Sequence, residues 1–263
     1  MWVAGVVLAL SLGWFYHTYN SVYKWERNIW RQGGNNNVYI ENVKKDDSDT
    51  HIYMQGARGD FSSLKDPRGL PRWTYPKFAA ICFKPLLWLS NALSGWIRWP
   101  AWPADLWALI LNHIVLSVSL AWMAWKVIPL PGGWLVAIAG WMAGTYSLWY
   151  GNVYPLLCAL SMTFAGSWIS ILWKPYMAVF TVLHLTRPNY SRTARIGIGI
   201  GAAGLALAVY SMCAPGITHS LFNEEPNEFF IHKRQFIMIF PAYYLLWRYI
   251  PKSWFERSDA GPA

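Results

Sequence analysis

Charge in this chain is segregated, and that segregation limits the possible folds more than any motif does. Lys, Arg, Asp and Glu concentrate in residues 24–77, 187–195, 224–234 and 248–259, with long apolar runs in the gaps. Charged residues make up only 13% of the chain, against about 25% in a soluble domain. Eight apolar runs fall at about 2–19, 75–97, 104–128, 131–149, 152–171, 173–186, 195–214 and 235–250. Most approach the roughly 20 residues that a helix needs to cross hydrocarbon. In water these runs would leave too much apolar surface uncovered; in lipid a helix satisfies its own backbone and the bilayer accepts its side chains. The expectation is an all-α polytopic membrane protein with about eight transmembrane helices. It forms one membrane domain over residues 1–263, multi-pass, in a cell or inner membrane.

The aromatic residues agree. Trp and Tyr favour the headgroup zone, and Trp14, Tyr16, Trp96, Trp99, Trp102, Trp149, Tyr150, Trp173, Tyr176, Trp247 and Trp254 stand at the ends of apolar runs. The first run lacks a positive leader, and Trp14-Phe15-Tyr16-His17 is a poor small-residue cleavage site, so it reads as a retained helix. The runs at 173–186 and 235–250 are short and read as tilted, broken or re-entrant. With eight crossings and a cytoplasmic N-terminus, the segments 98–103, 150–151, 187–194 and 251–263 are cytoplasmic. They carry Arg98, Arg187, Arg192, Lys252 and Arg257, while the outer loop near 215–232 carries Glu224, Glu225 and Glu228, as the positive-inside rule requires. The formal net charge of +9 then reflects topology and anionic lipid, with membrane lipids as partners and no nucleic acid.

Residues 20–74 form the first extramembrane loop, with nine basic and seven acidic residues. Val38-Tyr39-Ile40 and His51-Ile52-Tyr53-Met54 are short strand-like runs around the charged turn Lys44-Lys45-Asp46-Asp47. They predict a small β-hairpin in an otherwise solvated loop. Cys82, Cys158 and Cys213 lie in apolar stretches without metal or disulfide spacing, and read as inert buried thiols.

Two constellations carry possible chemistry. In the first, Arg58, Asp60, Asp66, Arg68 and Arg72 precede Tyr75-Pro76-Lys77, where a helix starts. A carboxylate there can act as a general base on a hydroxyl, and the basic residues can hold a phosphate at headgroup level. Ordinary juxtamembrane charges give the same pattern. In the second, Gly151-Asn152 is followed some 20 residues on by Lys174-Pro175. A lysine between apolar runs must snorkel, pair or bind an anion. Asn112, His113 and His184 read as interhelical hydrogen-bonding groups. Gly197, Gly199, Gly201 and Gly204 read as a close-packing stripe. Walker, Rossmann and H-E-x-x-H patterns are absent from the sequence.

Taken in order, Asp60-Phe61, Tyr75-Pro76-Lys77 with Pro85-Leu86, Gly151-Asn152 with Leu156-Leu157, and Lys174-Pro175 resemble a known pattern. It is that of the polyprenol-phosphate-sugar-dependent mannosyltransferases of the GT-C fold, a group with related arabinofuranosyltransferases. The resemblance covers about residues 56–186 and departs in three ways. Lys77 replaces a second proline, the Asp60–Tyr75 gap is short, and family members have more helices. It implies a membrane glycosyltransferase that moves a sugar from a polyprenyl-phosphate donor to an acceptor hydroxyl at the outer face. Asp60 is then the catalytic base. Lys174, Arg58 and Arg72 bind the donor phosphate, and Tyr75, Pro76, Gly151, Asn152 and Pro175 are motif positions. No cofactor and no metal is implied.

The competing expectation is a non-enzymatic multi-pass subunit of a larger complex, packing on membrane-protein partners and lipid through Trp-rich helices. A transporter fits less well, because beyond Asn112 and His113 the spans offer few polar groups.

Overall fold

The computed structural model describes residues 2, 4–13, 49–61, 75–97, 104–187, 189–222 and 236–249. These residues are all-α, with no strand among them. In chain order the helices are α1 (Ala4–Gly13), α2 (Asp49–Arg58), α3 (Lys84–Trp96), α4 (Ala104–Val127), α5 (Gly133–Tyr150), α6 (Tyr154–Ser161), α7 (Phe164–Trp173), α8 (Ala178–His184), α9 (Arg192–Phe222) and α10 (Ile239–Tyr249). Short 3-10 segments, Lys77–Phe83 and Pro175–Met177, lead into α3 and α8. Among the described residues two stretches are long and apolar enough to cross a membrane by length and composition, Trp107–Val127 in α4 and Arg192–Met212 in α9.

The α4–α5 hairpin is the centre. Its turn is written in the sequence as Pro131-Gly132-Gly133. Helix α4 is apolar nearly all round, and Ala108, Leu116, Leu120, Met123, Ala124 and Val127 are fully buried. It packs against α2, α3, α5, α6 and α10. Close approach of these helices needs small residues at their contacts. Two glycines of α5 serve that need: a Cβ on Gly140 would overlap the Phe240 ring of α10, and one on Gly144 would overlap Leu120 of α4. Ser11 of α1 accepts a hydrogen bond from Trp141 Nε1 of α5 at 3.1 Å, and Ala4, Gly5 and Leu8 lie beside Val118, Ala121, Trp122 and Trp125 of α4.

The apolar run expected at 152–171 does not form one continuous helix, and the run at 173–186 is broken, as its short length suggested. They fold into three short ones, α6, α7 and α8, that pack side by side. Thr163 makes the first break. Its extended backbone and its side chain, which accepts from Gly166 N at 3.1 Å, cap the start of α7. Pro175 makes the second. A residue before proline is pushed out of the helical region, and Lys174 ends α7 in extended conformation. Polar contacts set the antiparallel register. Ser170 Oγ donates to the Leu157 carbonyl (3.0 Å), Thr181 Oγ1 to Ser167 Oγ (2.9 Å), and His184 Nε2 meets the Ser161 carbonyl (3.1 Å).

This fold-back corrects the expected alternation of sides. Residues 20–74 and 150–151 were to lie on opposite faces, yet Asn112 Nδ2 donates both to Thr50 Oγ1 of α2 (2.8 Å) and to the Gly151 carbonyl (2.7 Å). The hairpin strand expected at His51-Ile52-Tyr53-Met54 is also overturned, because those residues lie inside α2. The reason is a helical face: Thr50, Tyr53, Met54 and Ala57, at spacings of three and four, are between 0% and 6% exposed. Its partner run Val38–Ile40 lies outside the described residues. Of the glycine stripe in α9, Gly201 approaches Trp168 and Gly199 approaches Leu185, whereas Gly197 and Gly204 face open space. Cys158 is buried as expected but Cys82 is exposed.

Candidate functional site

The motif residues of four separate stretches meet where α2 crosses the end of α5 and the start of α6. Two glycines build the corner by the same device. Gly59, with φ 83°, ends α2; its N–H donates to the Gly56 carbonyl (2.9 Å), and the Asp60 N–H donates to the Gln55 carbonyl (3.1 Å). Gly151, with φ 67°, ends α5; its N–H donates to Leu148 (3.1 Å), and the Asn152 N–H to Ser147 (2.8 Å). Both are Schellman caps, which need a left-handed residue that only glycine adopts without cost. Each cap hands a polar residue, Asp60 or Asn152, to the next position. At Gly151 space adds a second demand, because a Cβ would overlap Thr50 Oγ1.

Asn152 is buried and bonded through both its side-chain nitrogen and its side-chain oxygen. Its Nδ2 donates to Asp49 Oδ2 at 2.6 Å, and its Oδ1 accepts from Tyr154 N at 3.0 Å, closing the first turn of α6. Asn112 ties the same corner to α4. His113, beside it, bonds the Leu109 carbonyl of its own helix at 2.8 Å and faces the Leu148 carbonyl of α5.

Around this polar corner stands an aromatic wall. Tyr53 stacks on Phe83 at 4.3 Å, its hydroxyl lies 3.0 Å from that of Tyr75, and it accepts from Val153 N at 3.4 Å. Trp173 meets Tyr75 and Phe83 edge-on at 6.1 and 4.9 Å. The hydroxyls of Tyr154 and Tyr176 are hydrogen-bonded to each other. Half-buried Lys174 brings its ammonium over the Tyr75 ring at 4.3 Å and the Tyr154 ring at 5.5 Å. A cation held on ring faces gains about 0.5–2 kcal/mol there.

Tyr75, Gly151, Asn152 and Lys174 therefore come together, with buried Pro76 and half-buried Pro175 fixing the backbone at two of the corners. Asp60 is exposed, just past α2. Phe61, its neighbour, carries Lys77 over its ring at 5.7 Å, which sets Asp60 beside the Tyr75-Pro76-Lys77 turn. Arg58 is exposed in the last turn of α2, two residues before Asp60. Arg72 lies outside the described residues. Asp49, Thr50, Tyr53 and Tyr176 belong to the site without having been singled out as site residues in the sequence. The first three were legible as the polar and buried face of an amphipathic helix; Tyr176 carried no signal beyond its neighbours Lys174-Pro175. Among the described residues no group of three His, Cys, Asp or Glu side chains is placed to hold a metal.

The arrangement combines one ammonium, several neutral phenols and a nearby carboxylate. Phenol O–H groups and an ammonium donate to an oxyanion, and the carboxylate can accept a proton. No known protein-family model, curated protein or solved structure matches the chain.

Proposed function

We propose that this chain is a multi-pass membrane glycosyltransferase that takes a sugar from a polyprenyl-phosphate donor and passes it to an acceptor hydroxyl. The supporting observation is the ammonium of Lys174 seated over Tyr75 and Tyr154 at the meeting point of stretches distant in sequence. A lone snorkelling lysine would need no such company. The surroundings favour a membrane: Ile196, Ile200, Leu207, Tyr210 and Met212 leave the outer face of α9 exposed and apolar, as do Trp134, Leu135, Ile138 and Met142 on α5.

In this reading α1 begins on the cytoplasmic side, and α2 and Lys174 lie at the outer face. The isoprenoid tail stays in lipid, and the donor phosphate meets Lys174 and the tyrosine hydroxyls, with Arg58 and Arg72 as further cationic contacts. The acceptor hydroxyl gives its proton to the Asp60 carboxylate as its oxygen bonds to the anomeric carbon. The bond from that carbon to the phosphate oxygen breaks with its electron pair, and polyprenyl phosphate leaves with the added negative charge facing Lys174. One displacement inverts the anomeric centre.

Asp60→Asn keeps the size and exposure of the side chain and removes the base. Transfer from a polyprenyl-phosphate sugar should fall by about 10²-fold or more while thermal stability in detergent stays unchanged. Full activity in that variant refutes the assignment. The second reading, a non-enzymatic subunit, draws on the same exposed face of α9. It predicts a stable partner on that face and no transfer by the wild-type chain.

A further inference from the structure

A second charged cluster lies at the far end of the α6–α7–α8 layer. Lys174 and Tyr154 mark one end of these helices; Ser161, Phe164 and His184 mark the other, joined by the His184–Ser161 contact and a 5.8 Å edge-on ring pair between Phe164 and His184. Helix α10 reaches the same end. Phe240 packs at Gly140, Tyr243 donates to the Pro131 carbonyl at the α4–α5 turn, and Tyr249 lies further on.

Three arginines gather there. The Arg187 guanidinium lies over the Tyr249 ring at 4.7 Å and donates through Nη2 to the Tyr249 hydroxyl. Arg195, from the first turn of α9, donates through Nη2 to the Arg187 carbonyl at 3.0 Å. Arg248 lies over Tyr244 at 5.7 Å and donates to its hydroxyl. Arg187 and Arg248 both lie within electrostatic range of the buried His184 ring. Every partner named is neutral, and among the described residues the buried Arg187 Nε has no hydrogen-bond acceptor. Three fixed like charges repel, and a desolvated arginine N–H without an acceptor carries its full desolvation penalty. Phenols and a carbonyl orient such guanidinium groups but bring no negative charge of their own. Planar guanidinium groups match phosphate oxygens, and two of the three, Arg195 and Arg248, are exposed.

We infer that Arg187, Arg195 and Arg248 form a phosphate-binding site at the cytoplasmic end of α8, α9 and α10, and that its ligand is the phosphodiester of an anionic lipid headgroup. The inference rests on the membrane placement above and not on the transfer reaction. Its cost without the anion is the mutual repulsion of the three charges. Its benefit is that the lipid ties the ends of α9 and α10 to the layer that carries Lys174 at its other end.

The test uses the full chain in nanodiscs of phosphatidylcholine with a minority of spin-labelled phosphatidylglycerol. The wild type should enrich phosphatidylglycerol at its surface, and enrichment should fall roughly fivefold for each arginine replaced by Gln, the factor that one juxtamembrane basic residue contributes. Arg195→Gln and Arg248→Gln are exposed changes that keep the fold, so they carry the test if Arg187→Gln does not fold. Inorganic phosphate is the second arm. If it stabilises the protein in phosphatidylcholine discs and displaces the labelled lipid, the lipid assignment is overturned in favour of a soluble phosphate ligand. If neither lipid enrichment nor phosphate stabilisation occurs, or if the Gln variants keep full enrichment, the site itself is refuted, whatever the transferase assay gives.

Discussion

Replacing Asn112 tests how the candidate site is held together. One amide nitrogen donates its two protons to two acceptors on different elements, Thr50 Oγ1 at 2.8 Å and the Gly151 carbonyl at 2.7 Å. The residue is 5% exposed, so water does not replace it when it is cut back. At about 0.5–1.5 kcal/mol for each hydrogen bond lost, Asn112→Ala should cost about 1–3 kcal/mol. Asn112→Asp is the sharper perturbation. It keeps the shape, but an ionised carboxylate has no proton to donate, so it faces two oxygens and adds a buried charge. Its cost should exceed that of Asn112→Ala. Unfolding in mixed micelles by SDS measures the global loss. Hydrogen exchange over residues 49–58 measures the local one, and α2 should lose protection first, because Asn112 is one of the polar ties between it and the bundle, alongside the Asn152–Asp49 bond at 2.6 Å and the Tyr53 hydroxyl's contacts with Tyr75 and Val153 N. If Asn112→Asp matches wild type in both measurements, the α2 docking described above is wrong.

Gly151→Ala should be poorly tolerated for two separable reasons. The left-handed backbone costs a non-glycine residue about 1–2 kcal/mol, and the new methyl meets Thr50 Oγ1; adding Thr50→Ala should recover the second part and not the first, read by the same SDS titration. Lys174→Gln should cost about 0.5–2 kcal/mol of stability from the lost ring-face attraction. In the transferase assay it should raise the KM for the polyprenyl-phosphate donor about tenfold or more; an unchanged KM places the donor phosphate elsewhere.

Some of this was legible in the sequence. The α4–α5 hairpin was, because two long apolar runs flank Pro131-Gly132-Gly133 and neither holds a polar break strong enough to stop a helix. The fold-back at 152–173 was not. Summed hydropathy treats Ser161, Thr163, Ser167 and Ser170 as mild interruptions, whereas in the structure each binds a backbone group or another hydroxyl. Helix α2 was misread for a related reason. Ile52-Tyr53-Met54 has β-forming side chains, but the period that decides is the buried set Thr50, Tyr53, Met54 and Ala57, visible only over a longer window. The site followed the same division. Asp60, Tyr75, Gly151, Asn152 and Lys174 could be picked out as chemistry-bearing residues, but Asp49 and Tyr53 become site residues only through the helix that delivers them.

Photoaffinity labelling tests the central claim most directly. A polyprenyl monophosphate with a photoreactive group next to the phosphate is bound to the wild-type protein in vesicles, and the labelled peptides are mapped. The label should fall on the peptides that carry Tyr75, Tyr154 and Lys174, fade in Lys174→Gln, and be displaced by unlabelled polyprenyl phosphate. Label spread over the apolar face of α9, indifferent to Lys174 and to competitor, would contradict a phosphate site at this corner and with it the transferase.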